Sequence, residues 1–104
     1  MPKTHMSTED RKTSILNAAL DLLDDNHYRA ITRDELAEAA DTSPGNVTRI
    51  FDDIFGFREQ LVLYAIEQEH HVAIVQAVSV RDPLVKQIPK ELQIKALHSV
   101  MAHL

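Results

Sequence analysis

The sequence predicts an all-α fold, and three observations carry that prediction. Apolar residues recur at intervals of three and four along almost the whole chain, the period of a helix with one buried face. No stretch of strand length alternates apolar and polar residues between turn signals. The 104 residues include only two glycines and four prolines. Two of those prolines directly follow capping residues, in Ser43-Pro44 and Asp82-Pro83, so they open helices instead of breaking them.

Taken in order, residues 1–6 form a polar arm without an apolar face. Ser7 can cap a first helix, with Glu9 and Asp10 set against its N-terminal dipole. In "SILNAALDLL", Ile15, Ala19, Leu22 and Leu23 form a stripe that Leu16 and Leu20 widen. This helix is expected to stop near "DDNHY", where Asn26 or His27 can take the left-handed conformation that ends helices. Tyr28 then packs back on the core. "TRDE" is a capping box, Thr32 and Glu35 each satisfying the other's amide, and it opens a short second helix through Leu36, Ala37 and Ala40. Ser43 as cap and Pro44 at the first helical position open a third helix over roughly 44–51. Val47, Ile50 and Phe51 face inward on it, and Asn46, Thr48 and Arg49 face out.

Asp53 can cap a long fourth helix through Ile54, Phe57, Leu61, Tyr64 and Ala65. Its stripe continues at Ile66, Val72, Ala73, Val75 and Val78, which makes it about 26 residues and roughly 39 Å long. "RDP" ends it, with Asp82 and Pro83 starting another helix that Pro89 kinks or restarts. The last stretch is expected to bury Leu92, Ala96, Leu97, Val100 and Met101, with Leu104 extending the stripe. The chain thus reads as one compact unit, with a head over residues 1–53 and a C-terminal helical region over 54–104.

Composition removes several function classes. With 44% hydrophobic and 26% charged residues the chain is globular. The absence of cysteine excludes a disulfide scaffold, a thiolate zinc site and a thiol nucleophile. Two glycines cannot supply a Gly-rich phosphate loop. No apolar run is long enough to span a bilayer and no secretory pattern opens the chain, so a cytoplasmic location is expected. The formal net charge of −5 has the wrong sign for a general polyanion binder. Residues 1–56 hold six basic and eleven acidic side chains. Any nucleic-acid surface must therefore be a local patch.

Residues 32–51 supply a candidate for that patch. Two helices joined by a turn of three or four residues, the second short and polar outside, make a helix-turn-helix. A recognition helix of this kind enters the major groove with its N-terminal residues at base edges. "SPGNVTR" opens the helix here. Gly45 lets the backbone approach a phosphate, and Ser43 with Thr42 and the free helix-end amides suit an anion. Asn46 can bond an adenine edge, Thr48 lies beside it, and Arg49 can read guanine or grip phosphate. Thr32 and Arg33 face the DNA backbone, and Lys3, Arg11 and Lys12 can reach a neighbouring groove or phosphate.

The stretch from Ile15 to Leu61 resembles the N-terminal DNA-binding domain of TetR-family transcriptional regulators. The matching pieces are "ILNAALDLL", the Tyr28 turn, "ITRDELAEAA", "SPGNVTRIF" and the Phe57/Leu61 start of the fourth helix. The resemblance implies that the second and third helices form the reading head and that C-terminal helices dimerise, usually around an effector pocket. Four positions depart from the family pattern. Thr48 and Ile50 stand where aromatics are common, Ile54 replaces the usual lysine, and Asp41 replaces the turn glycine. Typical phosphate contacts are lost with them, which lowers non-specific affinity. The chain is also short for the family, leaving few walls for an effector cavity. Neither effector nor cofactor is expected.

The exposed stripes of the fourth and last helices need partners. A two-fold homodimer through Val72, Val75, Val78, Leu92, Leu97, Val100 and Met101 supplies them and sets two recognition helices for a palindromic site. The expected function is therefore a dimeric repressor of transcription. The alternative is an acidic protein-interaction module of the same fold that has lost DNA. A metal site is not expected, since the adjacent His70 and His71 point about 100° apart on a helix. No spacing suggests a catalytic triad, and no enzymatic activity is expected.

Overall fold

A computed structural model describes residues 7–103. Among the described residues there are six α-helices, two 3-10 turns and no strand. Helices α1 (Thr8–Leu22), α2 (Arg33–Ala39), α3 (Pro44–Phe51) and α4 (Ile54–Gln68) are followed by α5 (His71–Ser79) and α6 (Lys90–Met101). The 3-10 turns are Tyr28–Ala30 and Pro83–Gln87.

The helix starts follow the capping chemistry of the sequence. The Asp10 amide donates to Ser7 Oγ at 3.0 Å. At α2 the Glu35 amide donates to Thr32 Oγ1 and the Thr32 amide to Glu35 Oε1, at 3.1 and 2.9 Å. Ser43, Asp53 and Asp82 accept from the amides of Asn46, Gly56 and Leu84. Each of these bonds satisfies an amide that the first turn leaves without a partner.

Two apolar clusters form the core. The larger gathers Ile15, Ala19 and Leu23 of the first helical segment, Tyr28 and Ile31, Leu36, Val47 and Phe51, and Phe57, Leu61 and Ala65 of α4. Phe51 and Phe57 meet edge to face, centroids 5.4 Å apart, the geometry aromatic rings favour. The smaller cluster holds Ile74, Ile88, Leu92 and Ala96 between α5 and α6.

Helix ends differ from expectation in one recurrent way. Asp41, Glu69 and Arg81 have φ of 55°, 54° and 56°. Each closes its helix by the same paired bonds, the amide beyond it reaching back five residues and its own amide three. These are Thr42 to Ala37 and Asp41 to Glu38, His70 to Ala65 and Glu69 to Ile66, and Asp82 to Ala77 and Arg81 to Val78. This is the Schellman motif, built here without glycine. At Asn26 and His27, where a left-handed residue was expected, there is none; Asn26 Nδ2 instead donates to the Leu22 carbonyl at 3.0 Å.

The long fourth helix is a second correction. The turn at Glu69 divides it into α4 and α5, and His70 Nδ1 accepts from the Ala73 amide at 3.2 Å to start the new helix. The change of direction lays Ala73 and Ala77 against the head, where they are buried in the larger cluster. Burying that small-residue face accounts for the turn. A third correction concerns Pro83, which opens a 3-10 turn instead of an α-helix, while Pro89 stands at the start of α6.

Candidate nucleic-acid interface

Helices α2 and α3 are joined by a turn centred on the left-handed Asp41, which aims α3 across the outer surface of the head. Val47 and Phe51 anchor α3 in the core. The helical period then leaves Gly45, Thr48 and Arg49 exposed and Asn46 half-buried.

A chain of polar contacts runs along this face. Arg49 Nη2 donates to Asn46 Oδ1 at 2.6 Å. Asn46 Nδ2 donates to Thr42 Oγ1 at 2.9 Å. Thr42 Oγ1 also accepts from Arg11 Nη1 of α1, at 3.4 Å. Beside this chain lies a cleft of about 320 Å3 lined by Thr8, Arg11, Arg49 and Ile50. Arg11 and Arg49, 38 positions apart in sequence, thus share one polar recess at the mouth of α3.

The opposite edge of α3 has another character. Arg33 Nη1 donates to Thr48 Oγ1 at 3.4 Å, and Arg33 Nε lies 3.8 Å from the Asp34 carboxylate. Thr48 Oγ1 in turn donates to the Pro44 carbonyl at 3.3 Å. A recess there is lined by Arg33, Val47, Thr48, Asp52, Asp53 and Ile54. The face is therefore lopsided, with two guanidinium groups toward α1 and, on the other edge, Arg33 beside the carboxylates of Asp52 and Asp53.

Thr32, Arg33, Thr42, Ser43, Gly45, Asn46, Thr48, Arg49 and Arg11 all lie on this α2–α3 side or its rim. Lys12 does not: it sits in a separate cleft between α1 and α4, with Glu9, Gln60, Tyr64 and Glu67. One residue step along α1 rotates its direction from that of Arg11 by about 100°, which spacing alone would have shown. Lys3 lies outside the described residues.

The two glycines have opposite meanings. A Cβ on Gly45 would meet only Ser43 Oγ, at 3.9 Å, so the fold does not require glycine there. A Cβ on Gly56 would lie 2.4 Å from the Phe51 carbonyl oxygen. That carbonyl accepts from the Asp53 amide at 2.8 Å across Asp52, whose φ of 69° and ψ of −61° make a tight γ-turn. Gly56 is thus what lets α4 start hard against the end of α3, a role sequence reasoning missed.

Also missed was the tie between α5 and the head. Gln76 Oε1 accepts from the Tyr28 amide at 2.9 Å, and Gln76 Nε2 donates to the Asn26 and Leu23 carbonyls at 2.9 and 3.3 Å. The Tyr28 hydroxyl donates to Asp82 Oδ2 at 2.6 Å. Burial, then this bond to a carboxylate, pushes the Tyr28 phenol up to about 12. His70, desolvated at the α4–α5 turn, is lowered from its ordinary 6.5, against the opposing pull of Asp24 and Asp21. Nothing in a single glutamine or histidine signals such roles.

The α5–α6 face carries a groove of about 270 Å3 lined by Val75, Val78, Lys90, Gln93, Ile94 and Leu97. Leu97 is 47% exposed and Met101 56%. Val78 and Ile94 are exposed as well, while Val75 and Val100 are half-buried. Two of the residues assigned to an interface turn inward. Leu92 is buried in the smaller cluster of its own chain, and Val72 packs against the larger one. Leu92 turns inward because Ile88, Leu92 and Ala96 at four-residue spacing form the seam on α5, against which half-buried Val75 also packs.

No family model, no curated protein and no solved structure matches the chain. Among the described residues no helix is long and apolar enough to cross a membrane.

Proposed function

We propose that this chain is a sequence-specific regulator of transcription of the TetR type, binding double-stranded DNA through α3. The reading rests above all on the outward face of α3, where Arg49, Asn46 and Thr42 are linked to Arg11. A capped helix start, an exposed glycine that the fold does not need and two guanidinium groups at one recess are what a major-groove reader requires. Ser43 and Thr32 with the helix-end amides hold phosphates, and the outer side chains of α3 read the groove. The exposed apolar residues of α5 and α6, Val78, Ile94, Leu97 and Met101, suit a two-fold homodimer. Such a dimer repeats the reading head for a palindromic operator and represses by occupying it.

Selection of bound duplexes from a random DNA pool at about 0.1 M salt, where charges are screened over roughly 10 Å, tests this reading. Enrichment of a palindrome supports it, and the half-site spacing measures the distance between recognition helices. A single half-site keeps the reader and removes the dimer. No enrichment by folded protein refutes DNA recognition and leaves the protein-interaction module. Arg49→Ala is expected to weaken binding of the selected site at matched salt by about 1–3 kcal/mol, with unchanged thermal stability because Arg49 is exposed. Unchanged affinity removes Arg49 from the interface.

A further inference from the structure

We infer that Asn46 is a positioning residue that aims Arg49 at a guanine, and that it reads no base itself. The inference rests on the DNA-binding reading above and assigns the base class and the division of labour on α3.

Reading an adenine edge takes both polar atoms of a carboxamide, the nitrogen donating to N7 and the oxygen accepting from the exocyclic amine. Each polar atom of Asn46 already holds one partner, leaving one lone pair and one N–H unused. Oδ1 accepts from Arg49 Nη2 at 2.6 Å, and Nδ2 donates to Thr42 Oγ1 at 2.9 Å. Thr42 is in turn held by Arg11 at 3.4 Å. Turning those remaining sites toward a base edge draws the carboxamide away from a charge-assisted bond and the support behind it. Burial points the same way, since Asn46 is half-buried whereas Arg49 is exposed.

Arg49 keeps its capacity. A guanidinium has five N–H donors, and the bond to Asn46 uses one. Another edge of the planar fork, with two parallel donors, stays free for guanine O6 and N7. A phosphate can be gripped from many directions, whereas a base edge demands a fixed plane. An arginine whose plane is set from behind by a carboxamide, itself set by a threonine and a second arginine, is built for the latter. Immobilising its rotamers before binding also lowers the ordering cost of recognition. Thr48 has its hydroxyl occupied by Arg33 and the Pro44 carbonyl, which leaves Arg49 as the free polar reader of α3 among these three.

The test is selection from one random duplex pool with four folded proteins: wild type, Asn46→Ala, Thr42→Val and Arg49→Ala. The wild type is expected to require a guanine in each half-site, and Arg49→Ala to lose it. Asn46→Ala is expected to relax that same guanine by about fivefold to tenfold, part of the discrimination of a bidentate pair, and to weaken no adenine position. Thr42→Val, which removes the acceptor shared by Asn46 and Arg11, moves the same guanine in the same direction by less. Loss of an adenine in Asn46→Ala with the guanine intact overturns the inference, as does an unchanged motif. Folded wild type that enriches no sequence sinks the DNA-binding reading itself, a failure distinct from either. In the free protein, a resolved Arg49 guanidinium signal by NMR that merges with bulk arginine in Asn46→Ala supports the inference. Its absence in the wild type overturns it without any DNA.

Discussion

Gly45 and Gly56 sit in the first turns of α3 and α4, and replacing each with alanine asks the same question of two opposite environments. In a helix, alanine is favoured over glycine by about 1 kcal/mol, largely because the unfolded chain loses freedom. At Gly45 the new methyl meets nothing closer than Ser43 Oγ at 3.9 Å, so most of that gain survives. Gly45→Ala is expected to stabilise by about 0.5–1 kcal/mol. At Gly56 the methyl lies 2.4 Å from the Phe51 carbonyl oxygen, a full ångström inside the 3.4 Å at which ordinary contact begins. The obstacle is backbone and cannot swing aside. Moving it strains the γ-turn at Asp52 and the Asp53 cap on the Gly56 amide, 2.8 Å long. Overpacking of this kind costs about 1–3 kcal/mol net. For a domain of this size each kcal/mol moves the melting temperature by roughly 4–8 °C. Thermal unfolding followed by circular dichroism is therefore expected to rank Gly45→Ala above wild type and Gly56→Ala well below it. A Gly56→Ala protein that melts with or above the wild type refutes the described joint between α3 and α4.

At the α4–α5 turn, Glu69→Gly relieves a non-glycine left-handed residue and is expected to stabilise by up to about 1 kcal/mol. Urea unfolding checks it. Gln76→Ala strips partners from the Tyr28 amide and from two carbonyls. It is expected to cost about 2–3 kcal/mol, seen as a lower urea midpoint with Gln76→Glu recovering only the acceptor half. Stability is expected to peak between two titrations. His70 is lowered in the fold, so the unfolded chain takes up the proton first and stability declines as pH falls below 6.5. Tyr28 is raised from 10.0 to about 12, so the unfolded chain loses its proton first and stability declines between those values. His70→Asn, which keeps a cap, is expected to lessen the acid decline, and Tyr28→Phe the alkaline one, in denaturation curves taken across pH.

The starts of helices were legible because capping is local: Ser7, Thr32 with Glu35, Ser43, Asp53 and Asp82 each bond within three residues. The ends after Ala40 and at "RDP" were legible too, but the end of α4 was not, because Glu69 occupies a conformation that sequence announces only through glycine or asparagine. A helix of continuous apolar period therefore read as one, and its break became visible only where Ala73 and Ala77 meet the head. The same holds for α6. Its stripe was broad enough to include Leu92 and Leu97, and packing chose the narrow seam of Ile88, Leu92 and Ala96. On the candidate site, the outward direction of Thr48 and Arg49 follows from helical period alone. The contact of Arg11 with Thr42, 31 residues away, depends on how α1 packs beside the α2–α3 turn, which no local pattern encodes.

The Gln76 tie bears on how such a chain can be divided and recombined. A fragment ending before His71 retains every residue of the α2–α3 pair, yet leaves the Tyr28 amide and the Leu23 and Asn26 carbonyls without their partner. It also uncovers the face that Ala73 and Ala77 close. The first four helices are accordingly not a transplantable cassette. A fusion that grafts them onto a foreign oligomerisation unit must carry α5 and its closing turn along, and the graft point belongs after Asp82, which holds the Tyr28 hydroxyl.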